Sequence, residues 1–353
     1  MINIAIIGVG NIAETHLLAY SRNPNVKVVA LCDINPARLH YVGEKWKVSK
    51  LYTDMNEMFR EVPEIDAVSV CTWNAAHAVC TIAALKAGKH VLCEKPMAMN
   101  AAEAEEMMNT AKECGKLLMI GFVRRHGNDC RIVRDFVDSD YFGDLYYAKA
   151  TYLRRNGNPG GWFGNKALSG GGPLIDLGVH VIDLVRFIFG NPKPVSVYGV
   201  TFQKLFDRKN IKSEKKYRAT GAGDEDICNV EDLASALIRF DNGAVLSVEA
   251  AFSLNLKKDE GKIELFGTKG GAKLDPRLEL YSDLNGYMTD MTLSAVETAL
   301  SFDGLFDNEI AHFVDCIEGR AECIAPAEDG VMLMKILDAV YESARTGHEV
   351  VIG

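Results

Sequence analysis

The stretch INIAIIGVGNIA, residues 2–13, decides the fold of this chain. It opens with Ile2–Ile7, a run rich in isoleucine and apolar except at Asn3, which is typical of a strand buried on both faces. The run leads directly into the pattern G-x-G-x-x-A, in which Gly8 permits a tight turn and Gly10 lets a pyrophosphate approach the backbone. The small Ala13 lets the next helix pack against the strand. The first turn of that helix presents its N–H groups to a phosphate.

A second strand and an acidic residue follow at the distance that a dinucleotide site requires. Val26–Cys32 is the next apolar run, and Asp33 comes directly after it, about 20 residues beyond Ala13. A carboxylate at this point accepts a hydrogen bond from the ribose 2′-hydroxyl and repels a 2′-phosphate, which favours NAD over NADP. Arg38, on the following helix, is expected near the adenine.

Strand-like runs continue to alternate with helical patterns as far as Phe122. This alternation predicts an α/β Rossmann fold with a doubly wound parallel sheet, in which ligands bind beyond the carboxyl ends of the strands. We therefore expect an NAD-binding domain at residues 1–122. Its further elements are expected as helices at 36–46, 54–60, 75–87 and 100–114, and as strands at 67–71, 90–93 and 117–122.

Long half-polar strands replace this alternation after residue 122. Asp241-Asn242-Gly243 stands between two apolar runs and is a strong hairpin signal. Successive hairpins predict a large, mostly antiparallel sheet, so residues 123–353 are expected to form an α+β domain for substrate binding and oligomerisation. A charged insertion at 204–226 and the segment 283–304 have no clear secondary-structure pattern.

Composition excludes several classes of partner. The chain has 353 residues and a net charge of -9, which disfavours nucleic acid and anionic membranes because both attract basic surfaces. No apolar run reaches the ~20 residues of a membrane span, and no signal peptide is apparent, so a cytoplasmic location is expected. The nine cysteines include no C-x-x-C pair. Reduced thiols are therefore expected, and no metal site.

The stretch Gly170–Asp183 is the strongest candidate for chemistry in the second half. Pro173 suits the first position of a helix, and Asp176, His180 and Asp183 then recur three and four residues apart on one face. A carboxylate and an imidazole one turn apart can form a metal site, an acid–base pair or a structural hydrogen bond. The helix supplies too few ligands for zinc. The spacing leaves the other two readings open.

Further motifs accompany the loop Gly8–Ala13 and the stretch Gly170–Asp183. They are Thr72-Trp73-Asn74 with His77, Glu94-Lys95-Pro96, Gly121-Phe122 with Arg124 or Arg125, and Trp162-Phe163. Taken together, these motifs resemble the glucose–fructose oxidoreductase / inositol dehydrogenase (Gfo/Idh/MocA) family over nearly the whole chain. Trp73 departs from the family pattern, which usually has proline at this position.

The resemblance implies an NAD-dependent oxidoreductase that transfers hydride between nicotinamide and a secondary hydroxyl of a sugar or cyclic polyol. Lys95 would hold the reacting oxygen, His180 would accept its proton, and Asp176 would orient His180 or a substrate hydroxyl. These residue types suit the step because imidazole titrates near neutral pH and an ammonium group stabilises a developing alkoxide. A cis peptide bond is implied before Pro96.

The expected site residues fall into three groups. The catalytic group is Lys95, Asp176 and His180, and the last two also contact substrate, with Arg124, Arg154 and Asn156. The expected cofactor-binding residues are Gly8, Gly10, Asn11, Ile12, Asp33, Arg38, Thr72, Trp73, Asn74, His77, Glu94, Lys95 and Trp162.

Two other functions remain open from the sequence. In one, NAD stays bound while a transient oxidation permits elimination or epimerisation. In the other, the chain is a non-catalytic NAD-binding regulator, although Lys95, Asp176 and His180 together disfavour this. A homodimer or homotetramer through the C-terminal sheet is expected mainly from the resemblance.

Overall fold

The computed structural model describes residues 1–205, 208, 211, 217–223, 225–294, 296–298 and 304–353. The chain forms two compact units. The first unit comprises Met1–Val123, Ala167–Gly170 and Phe302–Met334, and the second comprises Arg124–Lys166, Gly171–Ser301 and Lys335–Gly353. Parts of the insertion 204–226 and of the segment 283–304 lie outside the described residues.

The strands are short in the first unit and longer in the second. In chain order they are β1 (Ile2–Ile7), β2 (Val26–Cys32), β3 (Leu51–Tyr52), β4 (Ala67–Val70), β5 (His90–Glu94), β6 (Leu118–Gly121), β7 (Leu145–Leu153), β8 (Pro194–Phe202), β9 (Leu233–Phe240), β10 (Val245–Ala251), β11 (Glu260–Gly267), β12 (Gly270–Leu274), β13 (Glu279–Leu284), β14 (Tyr287–Met291) and β15 (Val350–Val351).

The helices alternate with strands in the first half of the chain and close its second half. In chain order they are α1 (Asn11–Arg22), α2 (Pro36–Trp46), α3 (Met55–Glu61), α4 (Asn74–Lys86), α5 (Ala101–Cys114), α6 (Asn128–Asp138), α7 (Lys166–Ser169), α8 (Val179–Ile188), α9 (Leu305–Ile317) and α10 (Ala327–Thr346). No helix among the described residues is long and apolar enough to cross a membrane.

The sheet of the first unit has six strands in the order β3-β2-β1-β4-β5-β6. Every neighbouring pair is parallel, which confirms the predicted doubly wound fold. The carboxyl ends of all six strands therefore meet at one edge of the sheet. Gly8, Asp33, Thr72 and Lys95 follow β1, β2, β4 and β5 at this edge.

The sheet of the second unit has nine strands in the order β14-β13-β12-β11-β7-β10-β9-β8-β15. Only β7 and β10 pair in parallel, so the prediction of a mostly antiparallel sheet is confirmed. Alanines at 148, 150, 236 and 250 are buried on one face. Their small side chains let the segment that leads into α8 pack close to this face. A Cβ added at Gly178 would lie 3.4 Å from Cβ of Ala250.

The first unit also includes a late segment of the chain that the sequence assigned to the second domain. Arg22 Nη1 on α1 lies 2.8 Å from Asp307 Oδ2 on α9. The loop after α9 joins the sheet edge, where the Ile120 N–H donates to the Ala325 carbonyl at 2.9 Å. Because these partners lie far apart in sequence, residue spacing could not reveal that α9 belongs with the nucleotide-binding unit.

Candidate active site

The two glycines of the first loop are required for different reasons. Gly8 has a φ of +83°, and a Cβ at this position would lie 2.8 Å from backbone atoms of Cys71 and Thr72. Gly10 has a φ of -71°, which any residue adopts, and a Cβ there would meet no atom within 4 Å. The fold itself therefore demands glycine at position 8 only. At position 10 the open space lies at the uncapped N-terminus of α1, where a pyrophosphate is expected.

Asp33 is held against the same loop. Its Oδ2 accepts the Val9 N–H at 2.7 Å, and its Oδ1 accepts the Asn35 N–H at 2.8 Å. A carboxylate has about four lone-pair sites, so acceptor capacity remains for a ribose hydroxyl. The half-buried carboxylate is thus fixed in orientation by the backbone before any ligand arrives.

Arg38 is bonded to the glycine loop and to α1. Its Nε donates to the Val9 carbonyl at 2.8 Å, and its Nη2 pairs with Glu14 at 2.6 Å. The guanidinium also lies over the ring of Tyr41, 5.4 Å from the centroid. Arg38 therefore braces the glycine loop, and a cofactor contact through it stays a prediction.

The residues that follow β4 and β5 divide into half-buried and buried sets. Thr72, Trp73 and Lys95 are half-buried, and the peptide bond Lys95–Pro96 is cis, which confirms that prediction. Because Lys95 follows a central strand of a parallel sheet, it lies at the ligand-binding edge of the first unit.

Asn74 and His77 are buried and bonded within the protein. Asn74 Nδ2 donates to the Ser169 carbonyl at 2.7 Å. The ring nitrogens of His77 lie 2.7 Å from the Pro96 carbonyl and 3.2 Å from the Thr72 carbonyl. Burial lowers the pKa of His77. Both side chains thus join loops at the carboxyl edge of the sheet. Their predicted contribution to the cofactor site stays a prediction.

Glu94 belongs to a buried cluster that sequence reasoning missed. Its Oε1 lies 2.8 Å from Nε2 of His16, and these two residues and Glu309 place their ligand atoms within 4.8 Å of one another. Burial raises the pKa of Glu94, but the hydrogen bond with His16 and the charge interactions with His16, Lys95 and His77 together leave the pKa below its ordinary value. Burial and the charge of Glu94 raise the pKa of Glu309 well above its ordinary value. Glu94 therefore has internal partners and supports the turn before Lys95.

Asp176 and His180 are the half-buried residues of an otherwise buried segment in the second unit. All other residues from 171 to 186 are buried. The helix opens with a π-turn over Leu174–Gly178, and such turns recur at functional sites. An acid and an imidazole are thus presented together on a rigid element, as an acid–base pair requires.

A carboxylate distant in sequence holds the start of this helix. Glu231 Oε1 accepts N–H groups of Gly172 at 3.0 Å and of Leu174 at 3.2 Å, and the hydroxyl of Tyr341 at 2.9 Å. Burial raises the pKa of Glu231, against the opposing effect of these donors. Gly171 is packed tightly, because a Cβ there would lie 1.9 Å from the Tyr341 oxygen. The glycines before Pro173 therefore allow close packing within the second unit, which the sequence could not reveal.

Asp183 and Arg124 are structural in this arrangement. Asp183 is buried and receives Arg125 Nε at 3.0 Å and Nη2 at 2.5 Å. Arg124 is 6% exposed and donates to Asp129 and Asp275 at 3.2 Å. Its charge is thus neutralised inside the second unit. The predicted substrate contact by Arg124 stays a prediction.

The other predicted contacts of the second unit are half-buried. Arg154 donates to the Gly157 carbonyl at 3.2 Å and lies over the Tyr152 ring at 5.2 Å. Trp162 stacks on Phe163 with ring centroids 3.9 Å apart. Asn156 is half-buried beside them in sequence. Substrate contacts by Arg154 and Asn156, and a cofactor contact by Trp162, stay predictions.

The first unit fits NAD. The open position at Gly10, the uncapped first turn of α1 with Asn11 and Ile12, and the oriented carboxylate of Asp33 suit a pyrophosphate and a ribose. Bound NAD supplies a hydride acceptor at nicotinamide.

Comparison with known proteins assigns the chain to a family. Residues 2–122 match the family model described as "Oxidoreductase family, NAD-binding Rossmann fold", and residues 134–352 match "Oxidoreductase family, C-terminal alpha/beta domain". The chain is 36% identical over 352 residues to D-glucoside 3-dehydrogenase of Escherichia coli strain K12, covering 99% of this chain and 97% of the relative.

Two further relatives agree with this assignment. The chain is 30% identical to 1,5-anhydro-D-fructose reductase of Ensifer adhaerens, over 97% of this chain and 96% of the relative. Aldose-aldose oxidoreductase from Caulobacter crescentus, complexed with glycerol, superimposes with a TM-score of 0.82 at 26% identity, covering 99% of each chain. The chain therefore belongs to the Gfo/Idh/MocA family of NAD-binding oxidoreductases.

Proposed function

We propose that this chain is a dehydrogenase that oxidises a secondary ring hydroxyl of a pyranose or pyranoside with NAD, with inositol-like polyols as a related substrate class. The observation that carries the proposal is the pair Asp176 and His180, half-buried in an otherwise buried segment. The names of the two relatives at 36% and 30% identity support a sugar substrate.

The proposed step needs a base, an oxygen ligand and an orienting group. His180 removes the hydroxyl proton as the C–H electron pair leaves with its hydrogen as hydride. The Lys95 ammonium stabilises the negative charge that develops on the same oxygen. Asp176 orients His180 or a neighbouring hydroxyl. The proton on His180 then passes to solvent, so the substrate loses one hydride and one proton and becomes a ketone.

A substrate screen tests the proposal directly. Wild-type protein is incubated with NAD and a panel of methyl glucosides, hexoses, anhydrosugars, inositols and sugar phosphates, and reduced nicotinamide is followed by absorbance. We expect turnover with at least one pyranose or pyranoside. No turnover on any member, with NAD bound normally, contradicts a dehydrogenase and favours a regulator.

Variants at two of the catalytic positions, His180 and Lys95, test the assignment of roles. His180→Ala and Lys95→Ala are each expected to lower kcat by ~10²–10⁴-fold, whereas losses within about threefold would overturn the roles. Arg155→Ala is a matched control, because Arg155 is exposed on the loop after β7. Conversion of substrate to an isomer or elimination product without added NAD, by protein that co-purifies with NAD, indicates the retained-cofactor alternative.

We also propose that copies of the chain meet through the outer face of the second sheet. Tyr198 on β8 and Leu237 on β9 pair directly, and they are 49% and 44% exposed. Adjacent apolar side chains on an exposed face favour an interface. Light scattering is expected to give a dimer or tetramer that Leu237→Lys weakens. A monomeric wild type contradicts this proposal.

A further inference from the structure

One histidine and two cysteines form a cluster at the end of α9, apart from the proposed active-site residues. His312 and Cys316 are one turn apart on this helix, and Cys323 comes from the loop that follows it. Their ligand atoms all lie within 4.8 Å of one another, with His312 Nε2 3.3 Å from Cys316 Sγ. All three residues are half-buried, so the cluster is accessible from solvent.

The loop after α9 is folded back onto the helix by several hydrogen bonds. Arg320 N–H donates to the Asp315 carbonyl at 2.8 Å, and its Nε donates to the Asp315 carboxylate at 3.0 Å. The Ile324 N–H donates to Nε2 of His312 at 3.1 Å. Bonds on both sides of Cys323 therefore hold its thiol against the helix, so the cluster is built by the fold.

We propose that His312, Cys316 and Cys323 bind one Zn²⁺ ion. Zinc takes sulfur at ~2.3 Å and imidazole nitrogen at ~2.0 Å in tetrahedral geometry, which separates an N and an S ligand by about 3.5 Å. The separation of 3.3 Å between His312 Nε2 and Cys316 Sγ is close to this distance between two zinc ligands. Two thiolates and an imidazole favour zinc over magnesium or calcium. A water molecule completes the fourth position.

The surroundings of the cluster favour the ion. The lone pair of His312 Nε2 accepts the Ile324 N–H, and zinc would take the place of this donor. The carboxyl end of α9 carries partial negative charge, which favours a cation. Binding releases the two thiol protons to solvent and leaves two thiolates on the metal.

Zinc at this point would brace the edge of the first unit's sheet. Ala325 lies two residues after Cys323, and its carbonyl accepts the Ile120 N–H of β6 at 2.9 Å. The ion would link α9 to the loop that makes this bond. The inference is independent of the proposed dehydrogenase activity, because no step of that reaction uses these three residues.

Metal content and cobalt spectroscopy test the site. The full chain, purified with a reductant, is loaded with Zn²⁺, passed over a chelating resin and analysed for metal. We expect about one zinc per chain for wild type and a loss of at least ~10-fold in affinity for His312→Ala. Co²⁺ loading is expected to produce a thiolate-to-cobalt charge-transfer band that Cys316→Ser and Cys323→Ser each weaken.

Cys114→Ser is the matched control, because Cys114 is also half-buried in the first unit but lies outside the cluster. This variant is expected to retain zinc fully. Circular dichroism tests whether each variant is folded. Cys323→Ser is expected to disturb the fold least, because Cys323 lies in a loop. The proposal is overturned if loaded wild type holds no zinc, or if His312→Ala, Cys316→Ser and Cys323→Ser fold and retain zinc as wild type does. A disulfide between Cys316 and Cys323 under the same reducing conditions also overturns it.

Discussion

Both carboxylate oxygens of Glu231 lie 3.0 Å from the backbone nitrogen of Gly172. The same carboxylate accepts the Leu174 N–H and the Tyr341 hydroxyl. A buried acid two residues before β9 thus satisfies N–H groups at the beginning of the helix that carries Asp176 and His180. N–H groups at a helix start have no partner within the helix, so this contact positions the proposed acid–base pair.

Removing this acid is expected to cost stability and activity together. Glu231→Ala leaves buried N–H groups without an acceptor, which costs ~1–3 kcal/mol of unfolding free energy. Glu231→Gln keeps one acceptor oxygen and is expected to lose less. Thermal unfolding and kcat of the two variants provide the measurement. Equal melting temperatures for the alanine and glutamine variants would show that the hydrogen bonds do not hold the helix start.

Gly10→Ala is expected to weaken NAD binding without unfolding the protein. The added methyl meets no protein atom, but it occupies the space in front of the α1 N-terminus. We expect the KM for NAD to rise by at least about tenfold, equivalent to ~1.4 kcal/mol. Gly8→Ala is the contrasting variant, because its methyl would collide with backbone. An unchanged KM for NAD in Gly10→Ala would place the pyrophosphate elsewhere.

Two aspartates on one helical stretch are expected to respond differently to amide substitution. Asp176→Asn is expected to lower kcat/KM and leave the melting temperature unchanged, since Asp176 is half-buried. Asp183→Asn removes the negative charge that pairs with the buried Arg125 and is expected to cost ~3–5 kcal/mol of stability. Steady-state kinetics and thermal unfolding separate these outcomes. A loss of stability in Asp176→Asn together with a loss of activity alone in Asp183→Asn would mean that Asp183, and not Asp176, acts in the reaction.

The cluster of His16, Glu94 and Glu309 predicts a pH dependence of stability. The pKa of Glu309 in the folded state is raised well above its ordinary value of 4.5 by burial and by Glu94. The folded state therefore binds more protons than the unfolded state above pH 4.5, and stability falls as pH rises toward the folded pKa.

Glu309→Gln removes this titration and keeps the shape of the side chain. The stability of the variant relative to wild type is expected to increase with pH above 4.5, by at most ~1.4 kcal/mol per pH unit. Thermal unfolding from pH 5 to 8 measures the difference. A difference that is independent of pH would mean that Glu309 is ionised throughout this range.

Asp33 is expected to set the preference for NAD. Its carboxylate is fixed by the Val9 and Asn35 N–H groups, and it would repel a 2′-phosphate. Asp33→Asn removes the charge and is expected to lower the NAD-to-NADP ratio of specificity constants by at least about tenfold, because a like-charge contact costs several kcal/mol. A higher specificity constant for NADP than for NAD in the wild type would contradict the expected preference for NAD.

Regular elements with strong local signals agree between sequence and structure. β1, β2 and α2 have the bounds that the sequence predicts, because apolar runs and the Asn35 cap with Pro36 define them locally. β3 and β15 have two residues each and carry no periodic signal. The sequence analysis likewise does not predict β12 or β14. β12 pairs with β11, and β14 pairs with β13. A short window of sequence does not contain these pairing partners.

The sequence by itself determined the parallel nucleotide-binding sheet, the mostly antiparallel second sheet, and the candidate residues Asp33, Lys95, Asp176 and His180. Their identity and spacing are local properties of the chain. Only the tertiary structure decided that Asp183 and Arg124 are neutralised inside the second unit and that α9 joins the first. It alone revealed Glu231 at the helix start. Burial and ion pairing depend on partners distant in sequence, so these roles follow from the folded chain.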